Sequence, residues 1–434
     1  MIWNETMECM LRSEMRKLQG IRLKKTVELV YHNCEPYRRR MQEKGVTPAD
    51  IHNIEDIVKL PFTSKKDLRD YYPFGLLSSP MSEIVRLQAS SGTTGKPIVA
   101  GYTRNDLNIW GEVGARCFTA YGVCKNDVVQ VSYGYGLFTG GLGAHAAVET
   151  LGGTVLPMSS GNTEKQIMLM HDFGSVALAC TPSYALYLAE ALKNSGYPRE
   201  EFKLKTGAFG AEPWTEGMRK DLEEKLGIKA YDIYGLTEII GPGVGHECMH
   251  QNGTHLCEDH FYPEIVNPET GEPLSAGETG ELVFSTISKD GMPLLRFRTR
   301  DLTSLNYEKC ECGRTSVRMS RILGRCDDML IIRGVNVFPS QVESVICELP
   351  ELEPHYLLIV DRGSNNLDTF EVQVEVKEEF YSDEMSRMLD IRKRIAHRLQ
   401  SVLGIQPDLK LVEPRSIERS QGKAKRVIDK RKFK

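Results

Sequence analysis

Long hydrophobic runs are absent from this 434-residue sequence, although 41% of its residues are hydrophobic. No uninterrupted apolar segment reaches the roughly 20 residues that a membrane-spanning helix needs, so no membrane partner is expected. The sequence also lacks a large excess of one charge, since its formal net charge is −4. Nucleic acid is therefore not an expected partner, because its phosphates are normally bound by a basic surface.

A secretion signal is also missing from the first residues. Glu5, Glu8 and Arg12 lie where such a signal would be apolar, so export is not expected. The cysteines do not resemble a disulfide framework either, because there are eleven of them, an odd number, scattered along a long chain. Reduced thiols in the cytoplasm are therefore expected, and a cluster of cysteines within this set would indicate a metal site.

A polar loop rich in glycine and hydroxyl groups is the most informative stretch that is present. The run Ser90-Ser91-Gly92-Thr93-Thr94-Gly95-Lys96-Pro97 lies between two segments of alternating apolar residues, 84–89 and 98–103. This pattern predicts a strand, a tight loop and a second strand. Glycines let backbone N–H groups turn inward, hydroxyls donate hydrogen bonds and lysine adds a positive charge, so the loop suits a polyphosphate.

The loop differs from a Walker A motif, and its simplest alternative is a hydrophilic hairpin turn. Only two residues separate Gly92 from Gly95, and Pro97 occupies the position where Ser or Thr should bind magnesium. A hairpin turn usually explains a lone cluster of Gly and Thr, but eight such residues in a row disfavour it. The loop alone does not specify a reaction.

The order of helical and strand patterns predicts an α/β fold in two domains. Residues 1–45 have a helical composition, and helices alternate with strands over residues 144–245, which indicates βαβ units and a mainly parallel sheet. Short strands with Gly/Pro turns then predict a small β subdomain over residues 263–305. We expect a large N-terminal domain, residues 1–326, and a small mobile α+β domain, residues 327–434.

Two helix starts are predicted from capping residues. Ser64 is placed to cap a short helix after the run Leu60-Pro61-Phe62-Thr63. In the C-terminal domain, Ser340 is the predicted N-cap of a helix over residues 340–348, with Glu343 completing a capping box.

Several further runs carry groups that suit a nucleotide. In Tyr231-Asp232-Ile233-Tyr234-Gly235-Leu236-Thr237-Glu238 a strand end meets a glycine turn, a hydroxyl and a carboxylate able to hold Mg²⁺. Asp301 offers a carboxylate to both ribose hydroxyls, and Lys423 stands on the glycine-containing run Ser420-Gln421-Gly422-Lys423-Ala424. Taken alone, each run is more often a set of exposed polar residues without a function. Their joint occurrence in this order is therefore what indicates a nucleotide site.

These runs resemble the adenylate-forming superfamily of acyl-CoA synthetases, luciferases and peptide-synthetase adenylation domains. More closely, residues 133–141, 258–264 and 333–340 resemble the phenylacetate–CoA ligase branch. The resemblance extends from Leu60 to Lys423 and implies two half-reactions. A carboxylate attacks the α-phosphate of ATP to give an acyl-adenylate and pyrophosphate, and the thiol of CoA then displaces AMP.

The resemblance also implies a role for each matching residue. The expected catalytic residues are Lys423, Glu238 and Thr237, with Lys423 neutralising charge at the α-phosphate and Glu238 binding Mg²⁺. The residues expected to bind ATP, AMP or CoA are Ser90, Ser91, Gly92, Thr93, Thr94, Gly95, Lys96, Ala211, Glu212, Pro213, Asp232, Ile233, Tyr234, Asp301, Arg325 and Gly334. Asp327 matches the hinge about which the C-terminal domain turns, and the loop over residues 333–339 would face CoA.

The acyl group is expected in a compact apolar pocket. Its expected lining is Tyr133, Tyr135, Phe138, Gly207, Ala208, Phe209, Gly210 and Gly235. Glycines leave room for a flat ring, aromatic side chains stack on it, and residues 133–141 and 207–211 contain no cation. We therefore expect an uncharged ring, as in phenylacetate or a close aryl acid, in preference to acetate or a dicarboxylic acid.

Cysteine and histidine concentrate in one region that this reaction does not require. Cys310 and Cys312 form a Cys-x-Cys-Gly turn, and Cys248 with His255 could complete a closed tetrahedral site for structural zinc. His246, His250 and Cys257 are possible substitutes for any one of the four ligands. We expect the zinc to hold the β subdomain, within about residues 246–312. The alternative is that free cysteines cluster there by chance.

Three functional hypotheses remain open from the sequence. The first is an aryl-acid–CoA ligase, for which a homodimer is a possible assembly. The second passes the acyl group to a carrier protein or a hydroxyl instead of CoA. The third is a non-catalytic nucleotide-binding relative, which Lys423, Glu238 and the intact polar loop disfavour because a binder needs no mobile lysine.

Overall fold

The computed structural model describes residues 1–90, 97–326, 330–333, 335–362, 368–381, 385–419 and 424–431. The chain divides into two compact units, each assembled from three segments. The first unit contains Met1–Cys180, Ser195–Ala211 and Ile228–Ile322, and the second contains Thr181–Asn194, Glu212–Gly227 and Leu323–Lys434. The second unit therefore includes two segments from the middle of the chain, and a domain boundary at residue 326 stays a prediction.

The first unit opens with helices, as the composition of its first 45 residues predicts. Its helices are α1 (Glu5–Glu8), α2 (Arg12–Asn33), α3 (Glu35–Glu43), α4 (Lys65–Asp70), α5 (Arg104–Ala120), α6 (Thr139–Leu151) and α7 (Thr163–Asp172). Ser64 is the N-cap of α4, as predicted, and the Asp67 carboxylate accepts the Ser64 backbone N–H at 2.7 Å. A capping box of the same kind, from Thr103 and Asp106, starts α5.

A nine-stranded mixed sheet forms the centre of this unit. Its strands are β3 (Val128–Val131), β4 (Thr154–Pro157), β5 (Ala177–Cys180), β6 (Thr206–Gly210), β7 (Lys229–Leu236), β8 (Gly241–His246), β9 (Thr254–Leu256), β13 (Leu305–Asn306) and β14 (Arg318–Met319). Their order is β13-β14-β9-β8-β7-β6-β5-β3-β4. The five strands from β7 to β4 are parallel, as the alternating pattern predicts, whereas β8, β9, β14 and β13 extend the sheet in antiparallel fashion.

Two smaller antiparallel sheets complete the first unit. Strands β1 (Arg86–Ser90) and β2 (Ile98–Tyr102) pair from Arg86↔Tyr102 to Ser90↔Ile98, which confirms the predicted strands on either side of the polar loop. Strands β10 (Phe261–Val266), β11 (Gly280–Thr286) and β12 (Phe297–Thr303) pair in order and form the predicted β subdomain.

Strands and helices of this unit share two hydrophobic cores. Strands β5 and β6 are buried at every position, as parallel strands covered on both faces should be. One core gathers α5, α6 and strands β3 to β7, and the other joins the N-terminal helices to β2 and to strands β10, β11 and β12.

The second unit is built around a four-stranded sheet with its own core. Its elements are α8 (Pro182–Lys193), α9 (Glu216–Leu226), β15 (Gly324–Arg325), β16 (Leu330–Ile332), β17 (Val335–Val337), α10 (Pro339–Glu348), β18 (Leu352–Arg362), β19 (Asp368–Val376), α11 (Met385–Leu403), β20 (Asp408–Val412) and β21 (Val427–Asp429). The sheet order is β20-β19-β18-β21, which confirms an α+β module.

The predicted cap of α10 is wrong by two positions. The helix starts at Pro339, so Phe338 is the N-cap and Ser340 lies in the first turn, where its hydroxyl donates to Leu323 O at 2.6 Å. Proline favours the first helical position because its missing N–H costs nothing there. The Phe338 N–H is bound by Gln341, and Glu343 is instead buried against the Tyr356 hydroxyl at 3.1 Å.

Among the helices of the described residues, none is long and apolar enough to cross a membrane.

Candidate active site

The β1–β2 hairpin lies against the aromatic-glycine segment 133–141. Ala89 N donates to Leu137 O at 2.8 Å, and the Gln88 side-chain amide donates to Phe138 O at 3.2 Å. Ser90 ends β1, whereas Ser91, Gly92, Thr93, Thr94, Gly95 and Lys96 lie outside the described residues. The fold thus brings one end of the predicted phosphate loop to the predicted acyl segment, and the loop's own contacts stay a prediction.

Thr237 and Glu238 follow β7 in a tight, buried turn. Both residues are about one-twentieth exposed, at 5% and 4%. The Thr237 hydroxyl lies 3.2 Å from the Thr139 hydroxyl, at the start of α6, and Glu238 Oε1 lies 3.6 Å from Lys65 Nζ. A buried carboxylate beside a hydroxyl offers hard oxygen ligands, which is the donor set that Mg²⁺ prefers.

The close packing of strands β7 and β8 explains why residue 235 is a glycine. A Cβ at Gly235 would lie 1.9 Å from Gly241 O, so only glycine lets β7 approach β8 there. The strand register also shifts between Tyr234 and Gly235, which turns the chain towards Thr237. Its predicted contact with the acyl group stays untested, but its glycine identity already has a structural reason.

A buried lysine that belongs to none of the predicted motifs also contacts this turn. Lys289 is 2% exposed, its ammonium donates to Ile239 O at 3.0 Å, and it stands 4.6 Å from the centre of the Tyr102 ring. Burial lowers the pKa of Lys289 to about 8, although Asp106 and Glu238 act in the opposite direction. Its one signal in the sequence is its position three residues after the end of β11.

Asp301 is aimed by an irregularity between β11 and β12. Tyr234 donates its hydroxyl to Asp301 Oδ2 at 2.6 Å, so these two predicted nucleotide-binding residues lie together. The register shifts between Glu281 and Val283, and Arg300 has a φ of +72°, in the left-handed region. Glu281 accepts the Arg300 backbone N–H at 3.1 Å, which holds this unusual conformation.

The predicted acyl-pocket residues fall on two faces of β6. Tyr133 and Ala208 belong to one core, with Tyr135 and Phe138 packed against it. Glycines make the packing possible, because a Cβ at residue 140 would lie 2.5 Å from Phe138, and one at 141 would lie 2.9 Å from Tyr135. Residues alternate along a strand, so Gly207 and Phe209 lie on the face opposite Ala208 and Gly210. The structure therefore separates Phe209, which is fully buried, from the tyrosines.

Tyr135 is held by contacts outside its own segment. Its hydroxyl lies 3.2 Å from His145 Nδ1, and its backbone N–H donates to the Ser159 hydroxyl at 3.3 Å. Burial raises the pKa of the Tyr135 hydroxyl above its ordinary value of 10, at which it is already protonated and neutral at physiological pH. The ring therefore presents a fixed, uncharged face.

The residues predicted beside the adenine belong to different units. Ala211 ends the β6 segment with a φ of +73°, a left-handed conformation that is strained for alanine. Asp232 and Ile233 lie in β7, where the Asp232 N–H donates to Glu247 Oε2 at 2.7 Å. Glu212 and Pro213 belong to the second unit.

Within the second unit, Glu212 accepts two backbone N–H groups. One comes from Ser183, near the N-terminus of α8, at 2.7 Å, and the other from Ala424 at 2.8 Å. A carboxylate at a helix N-terminus satisfies a donor that has no partner within the helix. Arg325 lies in β15 of this unit, whereas Asp327, Gly334 and Lys423 lie outside the described residues.

The four predicted zinc ligands lie together in the first unit. One ligand atom from each of Cys248, His255, Cys310 and Cys312 lies within 4.8 Å of all the others. Cys248 Sγ is 3.8 Å from Cys310 Sγ, and Cys312 Sγ is 3.5 Å from His255 Nε2. Tetrahedral zinc bonds of about 2.3 Å to sulfur and 2.0–2.1 Å to nitrogen require separations of about 3.8 and 3.5 Å.

The surroundings of this cluster also suit a metal. His255 Nδ1 lies 3.0 Å from the Ser316 hydroxyl, which leaves Nε2 facing the sulfur atoms. Gly313 closes the turn with a φ of +96°, and its N–H donates to Cys310 O at 3.0 Å. A hydrogen bond with Cys248, the largest cause, lowers the pKa of the Cys312 thiol, and the His255 ring and Arg314 act in the same direction.

The cluster corrects one expectation about its place in the fold. Its residues lie at the antiparallel end of the nine-stranded sheet, around β8, β9 and the β13–β14 connection, and not in the three-stranded β subdomain. Of the proposed substitutes, His246 contacts Glu247 O at 2.9 Å through Nδ1, and His250 lies 3.3 Å from Glu311. Cys257 is buried, and this burial raises the pKa of its thiol well above the ordinary value. The four residues that lie together are therefore the four that were predicted first as zinc ligands.

The N-terminal segment binds the same cysteine turn. Arg314 Nε donates to Glu8 Oε2 at 2.5 Å, and both side chains are almost fully buried. Thr315 N donates to Glu8 O at 3.0 Å, and its hydroxyl donates to Met10 O at 2.6 Å. Arg12 forms an ion pair with Glu258 and also donates to Thr315 O at 2.8 Å.

Two acidic residues of the 258–264 motif, Asp259 and Glu264, form buried ion pairs within the protein. Arg116 binds both Asp259 oxygens at 2.8 and 3.0 Å, and Arg296 binds both Glu264 oxygens at 2.9 and 3.2 Å. Arg296 also donates to Val58 O at 3.0 Å and stands 3.9 Å from the Phe62 ring centre. These pairs fix the motif in the protein interior, so its charge pattern reflects buried ion pairs.

With this geometry in place, similarity to known proteins decides the family. A model of the AMP-binding enzyme family matches residues 25–288, and a model of the AMP-binding enzyme C-terminal domain matches residues 334–431. The chain belongs to the AMP-binding enzyme family. Its phenylacetate-coenzyme A ligase relative from Thermus thermophilus is 50% identical over the full length of both chains. The corresponding Escherichia coli enzyme is 50% identical and covers 96% of this chain and 95% of its own.

Solved structures place this AMP-binding enzyme in the same fold. A 2-hydroxyisobutyryl-CoA ligase in complex with 2-HIB-AMP matches with a TM-score of 0.92 at 29% identity, covering 98% of this chain and 91% of that one. The expected adenylate-forming fold, with a large α/β part and a smaller C-terminal part, is confirmed.

Proposed function

We propose that this AMP-binding enzyme is an ATP-dependent acid–CoA ligase acting on phenylacetate or a close aryl acid. It forms the acyl-adenylate with release of pyrophosphate, and CoA then displaces AMP to give the thioester. The full-length similarity to phenylacetate–CoA ligases carries this proposal. The buried Thr237–Glu238 turn and the linked Tyr234–Asp301 pair supply the oxygen groups that such a nucleotide site needs.

The nucleotide roles follow from what each described side chain can do. Glu238 and Thr237 would hold Mg²⁺, which neutralises phosphate charge when it is bound. Asp301 is fixed by Tyr234 so that its carboxylate can accept ribose hydroxyls. The proposed roles of Lys423 and of the loop over residues 91–96 rest on their positions in the sequence alone. Because little covalent chemistry is asked of the protein, catalysis rests on positioning and charge neutralisation.

The choice of acid rests on the apolar character of the pocket. Tyr133, Tyr135 and Phe138 are aromatic side chains without a charge, and they pack in or against one hydrophobic core. Residues 133–141 and 207–211 contain no cation, so a second charge on the acid would lose hydration there without gaining a counterion from these segments, at a cost of several kcal/mol. Acetate would leave the pocket unfilled and forfeit about 0.8 kcal/mol for each missing buried carbon.

A panel of acids tests both the acid and the acceptor. AMP release should be fastest with phenylacetate, slower with benzoate, and weak with acetate and malonate, and steady turnover should require CoA. A burst of acyl-adenylate without CoA is the expected signature of the first half-reaction. Equal efficiency with acetate and phenylacetate, or CoA-independent transfer to a carrier protein, would contradict the proposal.

We also propose that Cys248, His255, Cys310 and Cys312 hold a structural zinc ion. Three thiolates and one imidazole form a closed donor set, whereas a catalytic zinc keeps one position open. The separations between their atoms match a tetrahedral site, and the hydrogen bond to Ser316 orients the His255 ring. The ion would pin the end of the nine-stranded sheet, with an apparent binding free energy of about 10–16 kcal/mol.

Metal analysis with two serine variants tests the zinc site. Purified protein should contain one zinc per chain, and Cys310→Ser should lose both the metal and thermal stability. Cys124→Ser is the matched control, since Cys124 is exposed and outside the cluster. Protein without zinc, in which all eleven thiols react in the folded state, would refute the site.

A cytoplasmic location and a homodimer belong to the same proposal. Fractionation of cells and light scattering of the purified protein test them independently of the reaction.

A further inference from the structure

Lys289 has no role in the half-reactions as proposed, yet it is buried beside their centre. Its ammonium donates to Ile239 O, one residue after Glu238, at 3.0 Å. A lysine is rarely buried this completely unless its charge is paired or used. The ring of Tyr102, 4.6 Å from the ammonium, offers a cation–π contact that stabilises the charge in this position.

The loop that carries Lys289 is fixed at both sides. Asp106 accepts the backbone N–H groups of Asp290 at 2.7 Å and Gly291 at 2.9 Å. On the other side, the Ser288 hydroxyl lies 2.6 Å from His260 Nδ1. The loop therefore cannot shift without breaking contacts to α5 and to the 258–264 motif, so the ammonium is delivered to a defined point.

The turn after β7 also accepts a hydrogen bond from the side chain of Tyr102. The Tyr102 hydroxyl donates to Ile240 O at 3.1 Å and lies 3.4 Å from Thr237 O. Tyr102 is the last residue of β2, the strand that leaves the polar loop. Two donors, the Lys289 ammonium and the Tyr102 hydroxyl, thus bind carbonyl groups within residues 237–240, and the Thr237 hydroxyl contacts the Thr139 hydroxyl.

We propose that Lys289 is a positioning residue that, together with Tyr102, holds the Thr237–Glu238 turn in the shape that binds magnesium and ATP. The inference rests on the proposed function, because it takes Glu238 to face the nucleotide. Tyr102, at the end of β2, and Lys289, in the loop after β11, would together support the adenylation half-reaction. The thioester half-reaction should depend on this support far less.

Lys289→Met tests the inference because it keeps the length of the side chain and removes its charge and donors. Tyr102→Phe keeps the ring and removes only the hydroxyl bond to the same turn. Lys17→Met is the matched control, since Lys17 is an exposed lysine on α2 in the same unit. Each variant is compared with wild type for unfolding temperature, for its rise on adding Mg²⁺ with a non-hydrolysable ATP analogue, and for the rates of both half-reactions.

We expect both site variants to slow pyrophosphate exchange by about tenfold or more, equivalent to about 1.4 kcal/mol. The KM for the acid should stay within about twofold, and thioester formation from preformed acyl-adenylate within about threefold. The rise in unfolding temperature on adding the Mg²⁺-bound analogue should shrink in both variants, because weaker binding to the folded state gives less stabilisation. Lys17→Met should match wild type throughout.

Two results would overturn the inference. One is unchanged exchange and an unchanged analogue-induced shift in Lys289→Met. The other is an equal fall of both half-reactions together with a lower unfolding temperature without ligand, which indicates a purely structural lysine. If wild type and Lys17→Met also fail to exchange pyrophosphate with any acid, the proposed function itself fails and takes this inference with it.

Discussion

Breaking the buried pair between Glu264 and Arg296 should strongly destabilise the first unit. The two side chains are only 7% and 3% exposed, and the guanidinium binds both carboxylate oxygens. Removing one member costs about 3–5 kcal/mol, because the other charge stays buried without its partner. Glu264→Leu should therefore lower Tm by about 6–10 °C, at about 2 °C per kcal/mol for a large domain.

Replacing both members should cost less than replacing one. The double variant Glu264→Leu/Arg296→Met leaves no buried charge, and apolar replacements of such pairs are often close to neutral. It still leaves the Val58 and Leu60 carbonyl groups without the donors from Arg296, at about 1 kcal/mol each. We expect the double variant to lose roughly half as much Tm as Glu264→Leu.

The variant Arg296→Met should behave differently with pH. Burial already raises the pKa of Glu264 above its ordinary value of 4.5, and loss of the arginine should raise it further. A carboxyl group whose pKa is higher in the folded state favours folding at low pH, and this contribution is lost as pH rises through the folded-state pKa. The Tm deficit of Arg296→Met should therefore shrink as pH falls from 7 to 5.

Calorimetry of wild type, Glu264→Leu, Arg296→Met and the double variant at pH 5, 6 and 7 measures these effects. Arg16→Met is the control, because the Arg16–Glu55 pair is about half exposed and such pairs contribute about 0–1 kcal/mol. A Tm within 1 °C of wild type for Glu264→Leu, or a double variant less stable than both single variants, would refute the reasoning.

Four further predictions concern single positions. Ala211→Val should lower Tm more than Ala211→Gly, because φ is +73° at this residue and a β-branched side chain fits that region worst; calorimetry of both would decide. Gly235→Ala should unfold or severely destabilise the protein, because its Cβ would lie 1.9 Å from Gly241 O, whereas Gly134→Ala, with no atom within 4 Å, should keep its Tm. Tyr234→Phe should weaken ATP binding by about tenfold or more through loss of a hydrogen bond to the Asp301 carboxylate, measured as KM for ATP with the KM for the acid unchanged. Lys423→Ala should slow adenylation by about a hundred- to thousandfold and spare thioester formation from preformed acyl-adenylate, and wild-type pyrophosphate exchange would exclude its catalytic role.

Much of the fold could be predicted because local patterns and tertiary structure agree. The alternating residues around the polar loop become β1 and β2, and the alternation of helices and strands predicted over residues 144–245 becomes strands β4 to β7 with a helix between each pair in the chain. The antiparallel half of the large sheet was missed because β8 reads Gly-Pro-Gly-Val-Gly-His, a composition that strands usually avoid. There, pairing with β7 and packing on α5 and α6 override local preference.

The candidate site was predictable where chemistry depends on short spacing. The Cys310–Cys312 turn sets two thiols side by side, and their partners then follow from the small number of other cysteines and histidines nearby. Lys289 was not predictable, because lysine usually lies at the surface and its contacts, Tyr102 and Ile239, are 187 and 50 positions away in the chain. The aim of Asp301 likewise depends on a strand irregularity at Arg300 that no local pattern announces.

The contacts of the first dozen residues with the cysteine turn bear on how the protein is synthesised. Glu8 leaves the ribosome 306 positions before Arg314, its buried partner. At about 5–20 residues per second, the nascent N-terminus waits about 15–60 seconds for that partner. During this interval the apolar face of the N-terminal helices has no completed core to cover it. We expect chains in this interval to need chaperone protection, and translation speed between the codons of Glu8 and Arg314 to affect yield more than translation speed after Arg314.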